Sequence, residues 1–187
     1  FKRNCDSKNI YFTPSTVIDL LIPGDLISLD FNSVLLRVEN ISELGDKNYI
    51  KTRVLIEGAV GNNKGVHCDN LTKKLPSFTD KDLKAVELAK KYNIKHFTLS
   101  FMNSGAEVKK FKDLYPSSII YAKVETRKSV KNVLGILENS DGILIDRGDL
   151  SREIPIQKIP LVQKILINEA NLCGKDVFIA SNLLETM

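Results

Sequence analysis

Cysteine is scarce in this sequence: the 3 residues, Cys5, Cys68 and Cys173, lie far apart and none sits in a CxxC pair. That spacing suggests neither a disulfide framework nor a zinc site, and a reducing compartment is expected. Long apolar runs are also missing. None approaches the roughly 20 residues that a membrane span needs, and the first residues lack a basic-then-apolar secretory pattern, so no membrane role is expected. Charge of one sign is not concentrated either, because 27 Lys and Arg are interspersed with 23 Asp and Glu, leaving a net charge of +4. Such dispersal gives a nucleic-acid role little support, whereas mild positive charge suits an anionic small substrate. No GxGxxG or P-loop follows any strand-like run, so dinucleotide and P-loop readings fall away. His67 and His96 are isolated and read as structural or exposed residues.

What is present is enough for a folded core: 187 residues, 43% hydrophobic and 27% charged. The chain has two textures. Residues 1–75 hold short β-rich runs, "IPGDLISLD", "SVLLRVENI" and "YIKTRVLIEGAVGNNKGVHCDN", punctuated by Pro23, Gly24, Gly58, Gly61 and Gly65. A small all-β module is expected there. Residues 76–187 alternate strand and helix. Thr79 with Asp82 resembles a capping box opening a helix over 80–92, and Ser104 with Glu107 caps another that Pro116 stops. "IKHFTLSF", "SIIYAKVE", "GILID" and "DVFIAS" read as strands, and "RKSVKNVLGILEN" and "IQKIPLVQKILINEANLC" as single helices, with Gly174 at a helix C-terminus. Continuously apolar strands between helices imply a parallel sheet covered on both faces. An open doubly wound sheet and a slice of a (β/α)8 barrel both satisfy this pattern.

In either architecture ligands gather at the carboxyl ends of the strands. "SIIYAKVE" ends with Lys123 and Glu125, two apart and therefore on the face of Tyr121. A lysine and a carboxylate facing inward are costly unless paired or liganded, so they form either a structural ion pair or a site. "GILIDRGDLS" adds Asp146 and Asp149 at the end of the next strand, with Gly148 permitting close backbone approach. Glu125 and Asp149 supply oxygen donors suited to a hard cation such as Mg2+, although a lone Asp149 would read as a turn or cap residue. Ser181 ends the last strand with a hydroxyl near the same mouth. The lysines at 109–112 read as a solvated helix face, and Cys173 as a packing residue.

These segments resemble the pyruvate kinase family. "AKVET" is similar to its catalytic lysine strand, "DRGDLSREIPIQKIPLVQKILINEANLCGK" to its signature strand and long helix, and "IASNLLETM" to the strand that follows. "LPSFTDKD" and "LSFMNSGAEV" resemble the preceding segments, "GAVGNNKGVH" the return from the family's small β-barrel lid, and "IPGDLISLDFNSVLLRV" the lid itself, more loosely. The resemblance implies an α/β fold, a partial (β/α)8 TIM barrel over 76–187 with a partial β-barrel lid domain over 1–75. It implies transfer of the phosphoryl group of phosphoenolpyruvate to ADP, giving pyruvate and ATP in glycolysis, with Mg2+ or Mn2+ and K+ as cofactors. By the same resemblance Lys123 is a catalytic residue stabilising the transferring phosphoryl group and the enolate, Glu125 and Asp149 are metal ligands, backbone at Gly148 and Asp149 meets the substrate carboxylate, and Ser181 helps to protonate the enolate. A homo-oligomer, commonly a tetramer formed through parts of the chain not present here, is also implied, cytoplasmic or in a plastid or other organelle.

Several positions depart from the family pattern. Asp146 stands where alanine is usual, which adds negative charge beside the expected phosphoenolpyruvate site unless Arg147 or another base pairs with it. Ser151 replaces a glycine, Asn103 an arginine, and Phe31 and Asn32 interrupt the lid's acidic turn. These departures raise an alternative, a diverged and catalytically weak member acting as a binding or regulatory subunit. A lyase on a related phosphoenolpyruvate-binding barrel fits less well, given Lys123 beside Glu125. The matching segments correspond to barrel strands four to seven, whereas eight strands need about 250 residues. Four alone would leave open edges, so this segment is expected to belong to a longer polypeptide.

Overall fold

The structure, a computed structural model, describes residues 10–13, 15–30, 33–39, 50–68 and 76–180. The chain divides into two compact units, Phe1–Leu75 and Pro76–Met187. Each is built on its own four-stranded sheet.

In the first unit a 3-10 turn over Ser15–Leu20 precedes β1 (Leu26–Leu29), β2 (Val34–Val38), β3 (Thr52–Ile56) and β4 (Val66–Cys68). These strands pair antiparallel in the order β3-β2-β1-β4. Alternation puts Ile27, Leu29, Val34, Leu36 and Val38 on one buried face, joined by Leu21. The turn into β1 is held by Asp25, which is 1% exposed and accepts the Ile22 amide at 2.9 Å. Gly24 there takes φ 96°, a conformation that strains any residue with a Cβ.

The second unit runs α1 (Asp80–Lys91), β5 (His96–Leu99), α2 (Gly105–Leu114), β6 (Ile119–Val124), α3 (Arg127–Lys131), α4 (Val133–Asn139), β7 (Gly142–Asp146), α5 (Arg147–Leu150), α6 (Ile159–Leu172) and β8 (Asp176–Ala180). All pairings are parallel and the order is β5-β6-β7-β8. A doubly wound sheet reverses strand order at a switch point, and no reversal occurs among the described strands. Right-handed crossovers in strictly sequential order instead lay the helices on one side of the sheet, where α2 packs on α4 and α4 on α6. This is the arrangement of part of a (β/α)8 barrel.

The two faces of the sheet differ accordingly. Ile120, Ala122, Val124, Ile143 and Ile145 are fully buried in one cluster with Val108, Ile136, Leu137 and Leu166 from the helices. The opposite face carries Tyr121, Lys123, Leu144 and Asp146, all half-buried, and Phe178, 49% exposed.

Local chemistry explains most boundaries. Thr79 and Asp82 form a reciprocal capping box at the start of α1, and Ser104 accepts the Glu107 amide at the start of α2. The run expected as one helix after β6 breaks into α3 and α4 at Asn132, whose side chain turns away to donate to the Asn103 carbonyl at 2.8 Å. The last long helix begins later than expected. Pro160 sits in its first turn, where its missing N–H costs nothing, and only a 3-10 turn, Ile156–Lys158, precedes it. Cys173, expected in the packing, is exposed. Lys109 pairs with Asp113 on the surface of α2, but Lys112 reaches the Ser118 carbonyl and, at 3.6 Å, Asp141, tying α2 to the strand starts. Among the described residues no helix is long and apolar enough to cross a membrane.

Candidate active site

The parallel register brings the charged residues together. Lys123 stands opposite Leu144 across β6 and β7, and Asp146 follows two residues later on the same face. Glu125 lies just beyond the end of β6, two residues after Lys123. A lysine side chain leaning forward along its strand therefore meets one carboxylate from its own strand and one from the neighbour. Lys123 Nζ forms an ion pair with Glu125 Oε1 and another with Asp146 Oδ2 at 3.0 Å.

Glu125 is the most confined member of the group. Its side chain is wholly buried, and Oε2 accepts the Phe101 amide at 2.6 Å. Phe101 takes φ 56°, which turns its N–H toward that carboxylate from the loop after β5. Oε1 has no hydrogen bond of regular geometry and lies against the Lys123 ammonium. Below it, the Glu125 amide donates to Ser129 Oγ at 3.2 Å, within the capping box that Thr126 and Ser129 make at α3.

Asp149 sits in α5, one short turn after β7. Asp146 is the N-cap of that turn, and its Oδ1 accepts the Asp149 amide at 3.4 Å. The Asp149 carboxylate pairs with Arg152 at 3.0 Å. Gly148 lies within the same turn, and its carbonyl accepts the Ser151 hydroxyl at 2.7 Å. Carboxylate oxygens of Glu125, Asp146 and Asp149 all fall within 4.8 Å of one another.

Burial raises the Glu125 carboxyl above the usual carboxylate range, with Asp149 adding to the effect, against the opposing pull of Lys123 and the Phe101 amide. For Lys123, burial works against the charge, but hydrogen bonds and attraction from Glu125 and Asp146 outweigh it and hold the ammonium above its ordinary value. The lysine is therefore a firmly protonated cation.

Of the residues singled out in the sequence, Lys123, Glu125 and Asp149 come together at the carboxyl ends of β6 and β7, and Gly148 lies in the turn that carries Asp149. Ser181 lies outside the described residues, as do Phe31 and Asn32. Asp146 enters as a member of the charged group, paired with Lys123. The contributions of the Phe101 amide, Ser129 and Arg152 went unread in the sequence: the first depends on the loop after β5, and the other two on the helical turns that follow β6 and β7. Asn103 is taken up in loop packing: its side chain meets Thr126 Oγ1 at 2.5 Å and the Phe101 carbonyl at 3.0 Å.

An all-oxygen set of clustered carboxylates is the donor chemistry that a hard divalent cation prefers, so the residues present fit such an ion. The lysine beside them supplies fixed positive charge for an anion. Together they can hold a cation and a phosphoryl-type anion side by side.

Comparison with known proteins gives a consistent family. The family model described as "Pyruvate kinase, barrel domain" matches residues 1–187. A pyruvate kinase of Staphylococcus epidermidis is 34% identical over 168 residues, 88% of this chain and 28% of its own length. One from Staphylococcus aureus is 32% identical over the same extent. The chain thus spans 28% of the length of the curated relatives it matches.

Proposed function

This chain belongs to the pyruvate kinase family, and on that premise we propose that the protein carrying it transfers the phosphoryl group of phosphoenolpyruvate to ADP, giving pyruvate and ATP. One observation carries the reading: the Lys123 ammonium and the carboxylates of Glu125 and Asp149 converge at the carboxyl ends of adjacent barrel strands.

In this reading Lys123 stabilises charge on the transferring phosphoryl group and on the enolate that it leaves behind. Two carboxylates keep the lysine charged and oriented against the opposing effect of burial, so little reorganisation is needed as charge develops. Glu125 and Asp149 would hold the divalent cation, Mg2+ or Mn2+. That ion, when bound, supplies positive charge to phosphoryl oxygens. Phe101 and Ser129 act on Glu125, fixing its side chain and backbone. Backbone at Gly148 and Asp149 would meet the substrate carboxylate, and Ser181 would deliver the proton to the enolate. The first unit is assigned as the family's lid domain, and the full-length protein is proposed to require K+ and to work as a cytoplasmic or organellar homo-oligomer.

The ion pair between Lys123 and Asp146 favours a second reading, a member with weak turnover that binds these ligands for regulation. A lactate-dehydrogenase-coupled assay on the full-length protein separates the two. Turnover that falls roughly a hundredfold or more in Lys123→Met, with the far-UV circular dichroism unchanged, supports the enzyme. Wild-type protein that binds phosphoenolpyruvate without turning it over supports the second reading.

A further inference from the structure

Asp146 links the positive and negative halves of this site. Its Oδ2 lies 3.0 Å from Lys123 Nζ, and its carboxylate also falls within the cluster made with Glu125 and Asp149. The first contact engages the ammonium assigned to the phosphoryl anion. The second places a further oxygen donor among the groups assigned to the cation. We propose that Asp146 is an exchangeable partner, pairing with Lys123 in the cation-free protein and turning its carboxylate to the divalent cation when one binds, so that the cation frees Lys123 for the anionic substrate. The inference rests on the roles given above to Lys123, Glu125 and Asp149. It adds a residue that makes the two binding events depend on each other.

Charge and geometry both support the exchange. Without a cation, Lys123 faces the carboxylates of Glu125 and Asp146, with Asp149 close by, and an arriving anion must break the pair with Asp146 and approach like charge. The Asp146 side chain is only 16% exposed and that of Lys123 20%, so water screens this repulsion incompletely. Asp146 also has two separate tasks for its two oxygens. Oδ1 accepts the Asp149 amide at the start of α5, while Oδ2 faces Lys123. Oδ2 can change partner while Oδ1 keeps the cap. Thermodynamic linkage then requires reciprocity: if the cation strengthens anion binding through Asp146, the anion strengthens cation binding by the same factor.

Calorimetric titration of the full-length protein with Mn2+ alone, phosphoenolpyruvate alone, and each in the presence of the other tests this. Asp146→Asn removes the charge but keeps the shape and the cap acceptor, and Asp146→Ala provides a second background. Both are expected to weaken Mn2+ binding about tenfold. Both should also tighten phosphoenolpyruvate binding in the absence of metal, roughly three- to tenfold. The gain in phosphoenolpyruvate affinity on adding Mn2+ should shrink in parallel. These opposite signs separate an exchanging charge from structural damage, which would weaken both ligands. Metal-free phosphoenolpyruvate affinity that stays the same or falls in both variants overturns the proposal. Glu125→Gln locates any failure. If it weakens Mn2+ binding while the Asp146 variants alter neither ligand, only the exchange is wrong. If Mn2+ binding ignores Glu125→Gln, the cation assignment fails and the exchange falls with it.

Discussion

Lys123 reaches two carboxylates because strand alternation and strand register act on it at once. Its partner Glu125 has a wholly buried side chain, so the carboxylate depends on the lysine and on the Phe101 amide. Replacing Glu125 by Gln keeps the shape and the acceptor for Phe101 but removes one oxygen charge. In the full-length protein this should raise the divalent-cation concentration for half-maximal activity tenfold or more, read from activity against Mg2+ concentration. An unchanged metal requirement would exclude Glu125 as a ligand. At this scale the sequence was informative about Lys123 and Glu125, because a spacing of two where a strand ends determines a shared side without knowledge of any neighbour. It was less so about Asp146. A lone aspartate at a strand end fits a turn, a cap or an ion pair equally well, and only the Lys123–Leu144 register reveals that it faces the lysine. The Phe101 amide offers no signal in the sequence, since any residue in that loop could donate its backbone N–H.

Secondary-structure elements behave as their capping and breaking residues predict, with exceptions that have local causes. Asn132 divides α3 from α4 by spending its side chain on the Asn103 carbonyl, and Pro160 delays α6. A contact that no periodicity announces is the close approach of α2 to α4. At Gly105 an added Cβ would lie 2.6 Å from the Gly135 carbonyl carbon, whereas at Gly135 the nearest atom would be 3.8 Å away. The two glycines should therefore respond oppositely to alanine. Gly105→Ala is expected to destabilise by about 1–3 kcal/mol, the usual cost of forcing atoms into filled space. Gly135→Ala should be neutral or stabilise by up to about 1 kcal/mol through helix propensity. Chemical denaturation of the full-length variants measures both. Equal effects at the two positions would contradict the packing described for α2 and α4.

At the scale of the whole molecule, the described sheet has one face closed by helices and one that remains partly open. Tyr121 and Phe178 meet edge to face at 5.1 Å on that second face, yet Phe178 is 49% exposed. In a closed (β/α)8 barrel such side chains fill the interior. Phe178→Ala in the full-length protein is accordingly expected to cost about 3 kcal/mol or more, a core-like value measured by denaturant unfolding. A cost under about 0.5 kcal/mol, normal for an exposed position, would mean that nothing covers this face. Composition and periodicity were by themselves sufficient for the alternation of strand and helix after residue 76, for the helix caps at Thr79 and Ser104, and for the placement of Lys123 and Glu125 on one side of a strand. Each of these depends on residues close together in the chain, where covalent geometry sets the spacing. The sequential strand order that excludes a doubly wound sheet, the pairing of Lys123 with Asp146, and the gathering of the Glu125, Asp146 and Asp149 carboxylates were decided only by tertiary structure. Register between separate strands is a long-range property, fixed by the joint packing of Ile120, Ala122, Val124, Ile143 and Ile145 against the helix layer, and no local pattern encodes it.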